Sequence, residues 1–441
     1  MSCLTINPGG PLKGTVRVPG DKSVTHRAVM LSALADGETL ITGYCRGQDC
    51  LNTIQAFRAM GIRIDEETDS LTVYGKGRWG LSEPGGPIDC GNSGTGIRLL
   101  TGLLAGQDFF TVLTGDESIR RRPMGRVVKP LREMGAVIAG RRGGDLAPLA
   151  LLGSRLRGVT YRSPVASAQV KSALLLAGLF AEGPTTVAEP RRSRDHTERL
   201  FKYLGIPVFQ DEASVTVDGR SSLGWGGGKT LSIPGDVSAA AFFVVAASVV
   251  PDSEVTILDV GVNPTRTGLI DILREMGADI RLLNQREECG EPVADLCVRS
   301  AALHGTQVGP ERVPQAIDEF PILTVAAALA KGDTVVTGAE ELRVKESDRI
   351  ATMASELGKM GVSITQRQDG MVIRGIGSGS PGTTSQKLRG GSGSSCGDHR
   401  IAMSLAIAGL AADSPTRIDQ AECIETSFPA FEDKLLELLT R

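Results

Sequence analysis

Aromatic residues make up only 4% of this 441-residue chain, and just 2 of them are Trp. With so few rings, the cores must be built from Ala, Val, Leu and Ile. Closely spaced cysteines are missing too. The eight thiols (Cys3, Cys45, Cys50, Cys90, Cys289, Cys297, Cys396 and Cys423) are scattered without a CxxC pair. That spacing argues against a zinc site or a disulfide frame and fits reduced thiols in a cytoplasm. An excess of either charge is also lacking. The net charge of −3 argues against a nucleic-acid footprint spread over the surface, so any anion site must be a local basic cluster. No apolar run is long enough to cross a bilayer; the longest, residues 239–250, reads as a core helix. The opening MSCLTINPGG shows neither a signal nor a transit pattern. The expectation is a soluble, cytoplasmic protein. No Pro/Ser/Gly tract marks a long linker, and the Gly- and Ser-rich residues 377–395 read as a flexible surface loop.

What the chain does contain is length for two cored domains and a sixfold internal repeat. One phrase, an apolar helix end followed by a turn and a strand near a Thr or another β-former, occurs as ALADGETL (33–40), GLLAGQDF (102–109), GLFAEGPT (178–185), ASVVPDSEVT (247–256), AALAKGDT (327–334) and GLAADSPT (409–416). A second phrase follows some twenty-odd residues later. It ends a second helix with Met-Gly or Leu-Gly at Gly61, Gly135, Gly205, Gly277 and Gly361, and the sixth copy runs out near Leu436 to Leu439. Each unit reads strand–helix–strand–helix–strand–strand, with glycine as the helix C-cap. Six units in two domains give three per domain. VPGDKS and IPGDVS, which open units one and four in nearly the same words, mark the crossings between domains. The expected domains are therefore 20–234, and 1–19 together with 235–441, hinged by two chain passages.

Polar groups recur where each first helix begins. Unit one has PGDKSVTHR (19–27), with Lys22, Ser23 and Arg27 where backbone N–H groups and the helix dipole favour an anion. Unit two has GNSGTGIR (91–98), unit three SAQVK (167–171), unit five IDEFP (317–321) and unit six GDHR (397–400). Capping explains the Ser, Thr and Asp at these places, but not Lys22, Gln169 or Arg400. A second set follows the second strand: Arg120-Arg121-Arg122, RDHTE (194–198), NPTRT (263–267) and RVKESDR (343–349). Such mixed charges are ordinarily solvated. Their recurrence beside the first set makes a cationic cleft for two multiply charged anions, with Asp318, Glu319 and Glu346 as carboxylates suited to acid–base work. Glu346 could equally be an ion-pair partner of Arg349 or Arg343.

Together with RRPMGR, SAQVKSALLLAG, PGDVSAAAF, NPTRTG, EELRVKESDR and GDHRIAMS, these motifs run in order from about residue 19 to 429, and they resemble the 5-enolpyruvylshikimate-3-phosphate synthase family. The resemblance implies an α/β fold of two domains, each of threefold repeated βαβαββ units in an inside-out α/β barrel, closing over a cleft. It implies a monomer that uses shikimate 3-phosphate and phosphoenolpyruvate with no metal or organic cofactor, no nucleic acid and no membrane. By motif, Ser23, Arg27, Ser167, Gln169, Arg194, Asp318 and Lys345 resemble shikimate 3-phosphate contacts. Lys22, Gly94, Arg122, Arg349 and Arg400 resemble phosphoenolpyruvate contacts, and Lys22 and Gln169 could touch both. Asp318 and Glu346 resemble the acid–base pair, with Lys22 assisting. Two positions depart from the pattern. Ala168, also at a substrate-binding position, replaces the second of two serines, and Thr426 stands where many members carry Lys. The related UDP-N-acetylglucosamine enolpyruvyl transferases are expected to have Asn after the first Lys, where this chain has Ser23. A non-catalytic anion-binding module is a further alternative, which Asp318 and Glu346 among cations disfavour.

Overall fold

The computed structural model of the chain describes residues 3–221, 225–378 and 387–439. Two long helices belong to each of six units: α1 (Lys22–Ala33) and α2 (Gln48–Ala59), α3 (Gly94–Leu104) and α4 (Gly125–Glu133), α5 (Ala168–Gly178) and α6 (His196–Leu204), α7 (Val237–Val249) and α8 (Gly268–Glu275), α9 (Phe320–Leu329) and α10 (Arg349–Lys359), α11 (His399–Leu410) and α12 (Phe431–Leu439). The first helix of each pair is buried nearly all round; in α7 every residue from Val237 to Ser248 is buried. The second helices bury one face only, as an amphipathic stripe dictates.

Local chemistry explains where these helices start and stop. Asp21, Ser93, Ser167, Asp236 and Asp398 each accept a backbone N–H from the first turn of the helix they precede. The exception, α9, has Pro321 in its first turn instead. Gly61, Gly135, Gly205, Gly277 and Gly361 close the second helices at φ between +83° and +100°, the left-handed conformation that only glycine adopts cheaply.

Each unit folds as one small sheet in a repeated order. In unit two, Ile88–Asp89 runs parallel to Thr111–Thr114, which pairs antiparallel with Leu146–Leu152, and Val137–Gly140 closes the edge. Two units borrow their first strand from elsewhere in the chain. Lys13–Arg17, before Pro19, runs parallel to Glu254–Gly261 in unit four, and Thr230–Ser232, before Pro234, runs parallel to Asp36–Thr42 in unit one. The sixth sheet is completed from the other end of the chain, with Cys3–Ile6 antiparallel to Thr416–Asp419.

The chain divides into two bodies: Gly20–Pro234 with Glu287–Glu291, and Met1–Pro19 with Gly235–Arg286 and Pro292–Arg441. The short Glu287–Glu291 turn is an addition to the two passages read from the sequence. In the first body, Cys289 joins the apolar core and Glu291 Oε1 lies 2.8 Å from His196 Nδ1, within reach to accept a hydrogen bond from the ring. In each body the buried first helices form the centre and the sheets lie outside. Gly102 lets α3 approach α5 closely, because a methyl there would overlap the Ala173 carbonyl. In the second body Phe242, Phe243, Phe428 and Phe431 pack as one cluster, with ring centroids 5.6–6.0 Å apart.

One expectation is corrected. Residues 377–395 do not form a single loop: Gly391–Ser394 is a strand parallel to Thr416–Asp419, and Leu388 is buried. Gly and Ser keep both backbone hydrogen-bonding groups, so a strand lacking apolar side chains can still complete a ladder. Residues 379–386 of that stretch lie outside the described ones.

Candidate active site

In the first body the helix starts of α1, α3 and α5 carry the candidate anion contacts. Lys22, the first residue of α1, points its ammonium at Asp49 Oδ2, 2.9 Å away in the first turn of α2. Ser23 follows it, half-buried. Arg27 is buried and donates from each of its nitrogens: Nε to Thr197 Oγ1 at 2.7 Å, one terminal nitrogen to Ser172 Oγ at 2.7 Å, and the other to the Ser23 carbonyl at 2.8 Å. Burial pulls its pKa down to about 10 against the opposing charge of Glu198; among the weaker influences, Arg194 also lowers it. Arg27 therefore ties α1, α5 and α6 together.

Gly94 is the first residue of α3, and a Cβ on it would lie 2.8 Å from a terminal nitrogen of Arg122 and 2.9 Å from one of Arg98. The missing side chain is thus what lets two guanidinium groups close on one helix start. Arg122 donates to Asn92 Oδ1 at 3.2 Å. Gln169 follows Ala168 at the start of α5, and its amide is held from both ends: Oε1 accepts from Arg98 at 2.8 Å, and Nε2 donates to Thr95 Oγ1 at 3.1 Å. Ser167 caps this helix, and its backbone N–H donates to Glu189 at 2.8 Å. Arg194 is half-buried just before α6.

The second body gathers carboxylates around one cation. Arg349, the first residue of α10, has a side chain only 1% exposed. It donates to Asp398 Oδ2 at 2.9 Å and Glu346 Oε2 at 2.6 Å, and reaches Asp318 Oδ1 at 3.5 Å. Burial works against its charge, but Asp398, Glu346 and Asp318 more than offset this and hold its pKa above the usual range. Lys345 lies 3.9 Å from Asp318, and burial lowers its pKa against the pull of that carboxylate. Burial likewise works against the Asp398 charge, while Arg349 overrides it and keeps the carboxyl below the ordinary range. Arg400 sits 3.6 Å from Glu319 Oε1, and Arg266 lies at the same distance from that oxygen. The Ser238 hydroxyl donates to Glu319.

Asp318, Lys345, Glu346 and Arg349 thus form one cluster, with Arg400 on the neighbouring Glu319. In the first body, Gly94 and Gln169 meet through Arg98 and Arg122 closes on Gly94, while Lys22, Arg27, Ser167 and Arg194 lie at or near other helix starts. Arg120 and Arg121 face solvent, and Arg121 pairs with exposed Glu117. Arg343 is spent on the Asp348 carboxylate and two backbone carbonyls. The sequence reading did not single out Asp49, Arg98 or Asp398. Arg98 and Asp398 lie inside the quoted GNSGTGIR and GDHRIAMS motifs, so their signal was present. Asp49 carries none, because an acid in a first helical turn looks like ordinary capping.

Two bodies of three βαβαββ repeats whose helix starts bring cations and carboxylates together define the enolpyruvyl transferase class of fold. An enolpyruvyl transferase from Streptomyces tendae shares this fold with a TM-score of 0.76 over 99% of this chain and 97% of its own, at 17% identity, which makes the likeness one of fold alone. The chain belongs to the EPSP synthase family, whose model, EPSP synthase (3-phosphoshikimate 1-carboxyvinyltransferase), matches residues 6–435. A 3-phosphoshikimate 1-carboxyvinyltransferase from Geobacter sulfurreducens is 54% identical over 441 residues, all of both chains. The structure of an EPSP synthase from Acinetobacter baumannii is similar with a TM-score of 0.87 at 45% identity, covering 99% of this chain and 98% of that one.

Proposed function

We propose that this enzyme transfers the enolpyruvyl group of phosphoenolpyruvate to the 5-hydroxyl of shikimate 3-phosphate and releases phosphate. Ser23, Arg27, Ser167, Ala168, Gln169, Arg194 and Lys345 contribute the contacts to shikimate 3-phosphate. Lys22, Gly94, Arg122, Arg349 and Arg400 hold phosphoenolpyruvate. The observation that carries the reading is the Arg349 cluster: a pure anion binder has no use for Asp318 and Glu346 beside the cations that bind its ligand.

The chemistry follows from that inventory. Asp318, assisted by Lys22, accepts the proton of the 5-hydroxyl as its oxygen bonds to C2 of phosphoenolpyruvate, and Glu346 protonates the methylene carbon. The product of addition is a tetrahedral ketal phosphate. Glu346, left as a carboxylate, then takes a proton back from the methyl group, the C=C bond re-forms and the C2–O bond to phosphate breaks, the phosphate leaving with the proton that Asp318 took up. Arg122, Arg349 and Arg400 stabilise the moving negative charge without reorganising, because their hydrogen bonds and ion pairs already fix them. Arg349 has a second consequence. Sitting 2.6 Å from Glu346 and 3.5 Å from Asp318, one guanidinium orients both members of the acid–base pair.

On this reading the enzyme works as a monomer in the cytoplasm, without nucleic acid. No helix among the described residues is long and apolar enough to cross a membrane. The decisive experiment is phosphate release from phosphoenolpyruvate, measured with and without shikimate 3-phosphate. Release that depends on shikimate 3-phosphate is expected; release with UDP-N-acetylglucosamine in its place would overturn the assignment.

A further inference from the structure

Behind the first body's helix starts lies a buried ionic group to which none of the motif readings gave a role. Lys171, in the first turn of α5, has a side chain 2% exposed, and its ammonium lies 2.8 Å from Glu198 Oε1 and 3.0 Å from Glu189 Oε2. Lys171 also donates to the Ser193 carbonyl at 3.3 Å. Glu189 accepts from the Ser167 N–H at 2.8 Å, and from the Ser193 hydroxyl at 2.7 and 2.8 Å and its N–H at 3.3 Å. One carboxylate therefore fixes both the cap of α5 and the residue before Arg194. The other two members adjoin the residues that hold Arg27: Lys171 precedes Ser172, and Glu198 follows Thr197.

A buried ion group of this kind is a poor way to stabilise a core, since desolvation cancels much of the attraction and apolar side chains would pack as well. Two carboxylates around one ammonium are worse still, and Arg27 supplies the balancing charge. What the arrangement does provide is direction, because charge-assisted hydrogen bonds to a carboxylate fork fix the groups that donate to it. Burial lowers the pKa of Lys171, but Glu198 and Glu189 outweigh it, so the ammonium keeps its charge.

We propose that Lys171, Glu189 and Glu198 form a positioning brace for the shikimate 3-phosphate contacts Ser167, Arg194 and Arg27. The inference rests on the enolpyruvyl-transfer reading above. It also answers the departure at Ala168, where a second serine hydroxyl is absent: the binding groups that remain are held rigidly from behind. The phosphoenolpyruvate contacts Lys22 and Arg122 have supports of their own, Asp49 and Asn92.

The test is calorimetric binding of shikimate 3-phosphate alone, alongside the KM for phosphoenolpyruvate at saturating shikimate 3-phosphate. Lys171→Met should weaken shikimate 3-phosphate binding by about tenfold or more while the phosphoenolpyruvate KM stays within about threefold. Glu189→Gln preserves shape but replaces one acceptor oxygen with a donor, and should give the same split at several-fold. If Lys171→Met does not fold, Glu189→Gln carries the test alone. Unchanged shikimate 3-phosphate affinity with a lowered melting temperature would reduce the group to a structural pair and overturn the brace. Equal weakening of both substrates would overturn it as well. A wild-type protein that neither binds nor turns over shikimate 3-phosphate would instead overturn the functional reading on which the brace depends.

Discussion

Arg349 Nε donates to Asp398 Oδ2 at 2.9 Å, across 49 residues, with both side chains at most 1% exposed. Asp398 also caps α11 by accepting the Arg400 N–H at 3.0 Å. One carboxylate thereby orients two candidate phosphoenolpyruvate ligands, the first through its charge and the second through the helix it starts.

Asp398→Asn separates those two roles, because Asn caps helices about as well as Asp but deprives Arg349 of its fully buried counter-charge. The expected result is a loss of about 3 kcal/mol of unfolding free energy, the order seen when one partner of a buried pair is removed. The KM for phosphoenolpyruvate should rise with it. Asp398→Ala should cost about a further 1 kcal/mol through the lost cap. Urea unfolding of the three proteins measures both differences.

Asp318→Asn retains the shape of the side chain and removes the proton acceptor. Turnover should fall by roughly 10² or more while shikimate 3-phosphate affinity changes little. A fall of less than about fivefold in kcat would make Asp318 a positioning residue held by Lys345 and Arg349.

Gly94→Ala puts a methyl against the guanidinium groups of Arg122 and Arg98, both of them ends of flexible side chains that can shift. The expected cost at the phosphoenolpyruvate site is on the order of 1–3 kcal/mol. Wild-type enzyme should be inhibited by glyphosate, the family's herbicide, which is longer than phosphoenolpyruvate. The Ala variant should raise the inhibition constant well beyond the KM for phosphoenolpyruvate. Steady-state measurement of both constants at one pH decides it; a parallel rise would show that Gly94 does not discriminate between the two molecules.

Acid should destabilise the protein through His26 before it reaches the carboxylates. This imidazole is wholly buried in α1, bonded to Thr53 Oγ1 at 2.7 Å and Ser93 Oγ at 3.3 Å. Burial, and then the charges of Lys22 and Arg27, push its pKa down to about 3. The unfolded chain, with an ordinary histidine near 6.5, therefore binds one more proton than the folded one between those values. Stability falls as pH drops through that window, by about 1.4 kcal/mol per unit. Urea titrations should show wild type losing about 2 kcal/mol more than His26→Gln between pH 6.5 and pH 5.

Much of the architecture was legible because it is written in local chemistry. The glycines at 61, 135, 205, 277 and 361 announce helix ends by a backbone conformation that other residues resist. Asp21, Ser93, Ser167, Asp236 and Asp398 announce the starts. The Gly391–Ser394 strand was not legible, because its pairing is made by backbone groups that every residue shares. At the site, the helix-start motifs named most of the candidate ligands but not their partners. Nothing in the text of the chain says that Arg122 alone of three arginines turns inward, or that Arg343 is spent on backbone carbonyls while Arg349 meets three carboxylates.

By itself the sequence determined the repeat, the helix boundaries and the family, since each rests on patterns within a few residues of one another. Tertiary structure alone decided which charges are paired, which backbone groups they orient, and that Lys171, Glu189 and Glu198 share one buried place. The physical reason is range. Capping and periodicity act within a helical turn, whereas a buried charge is set by whatever groups the fold carries to within about 4 Å, where in a low dielectric each neighbour counts for several kcal/mol.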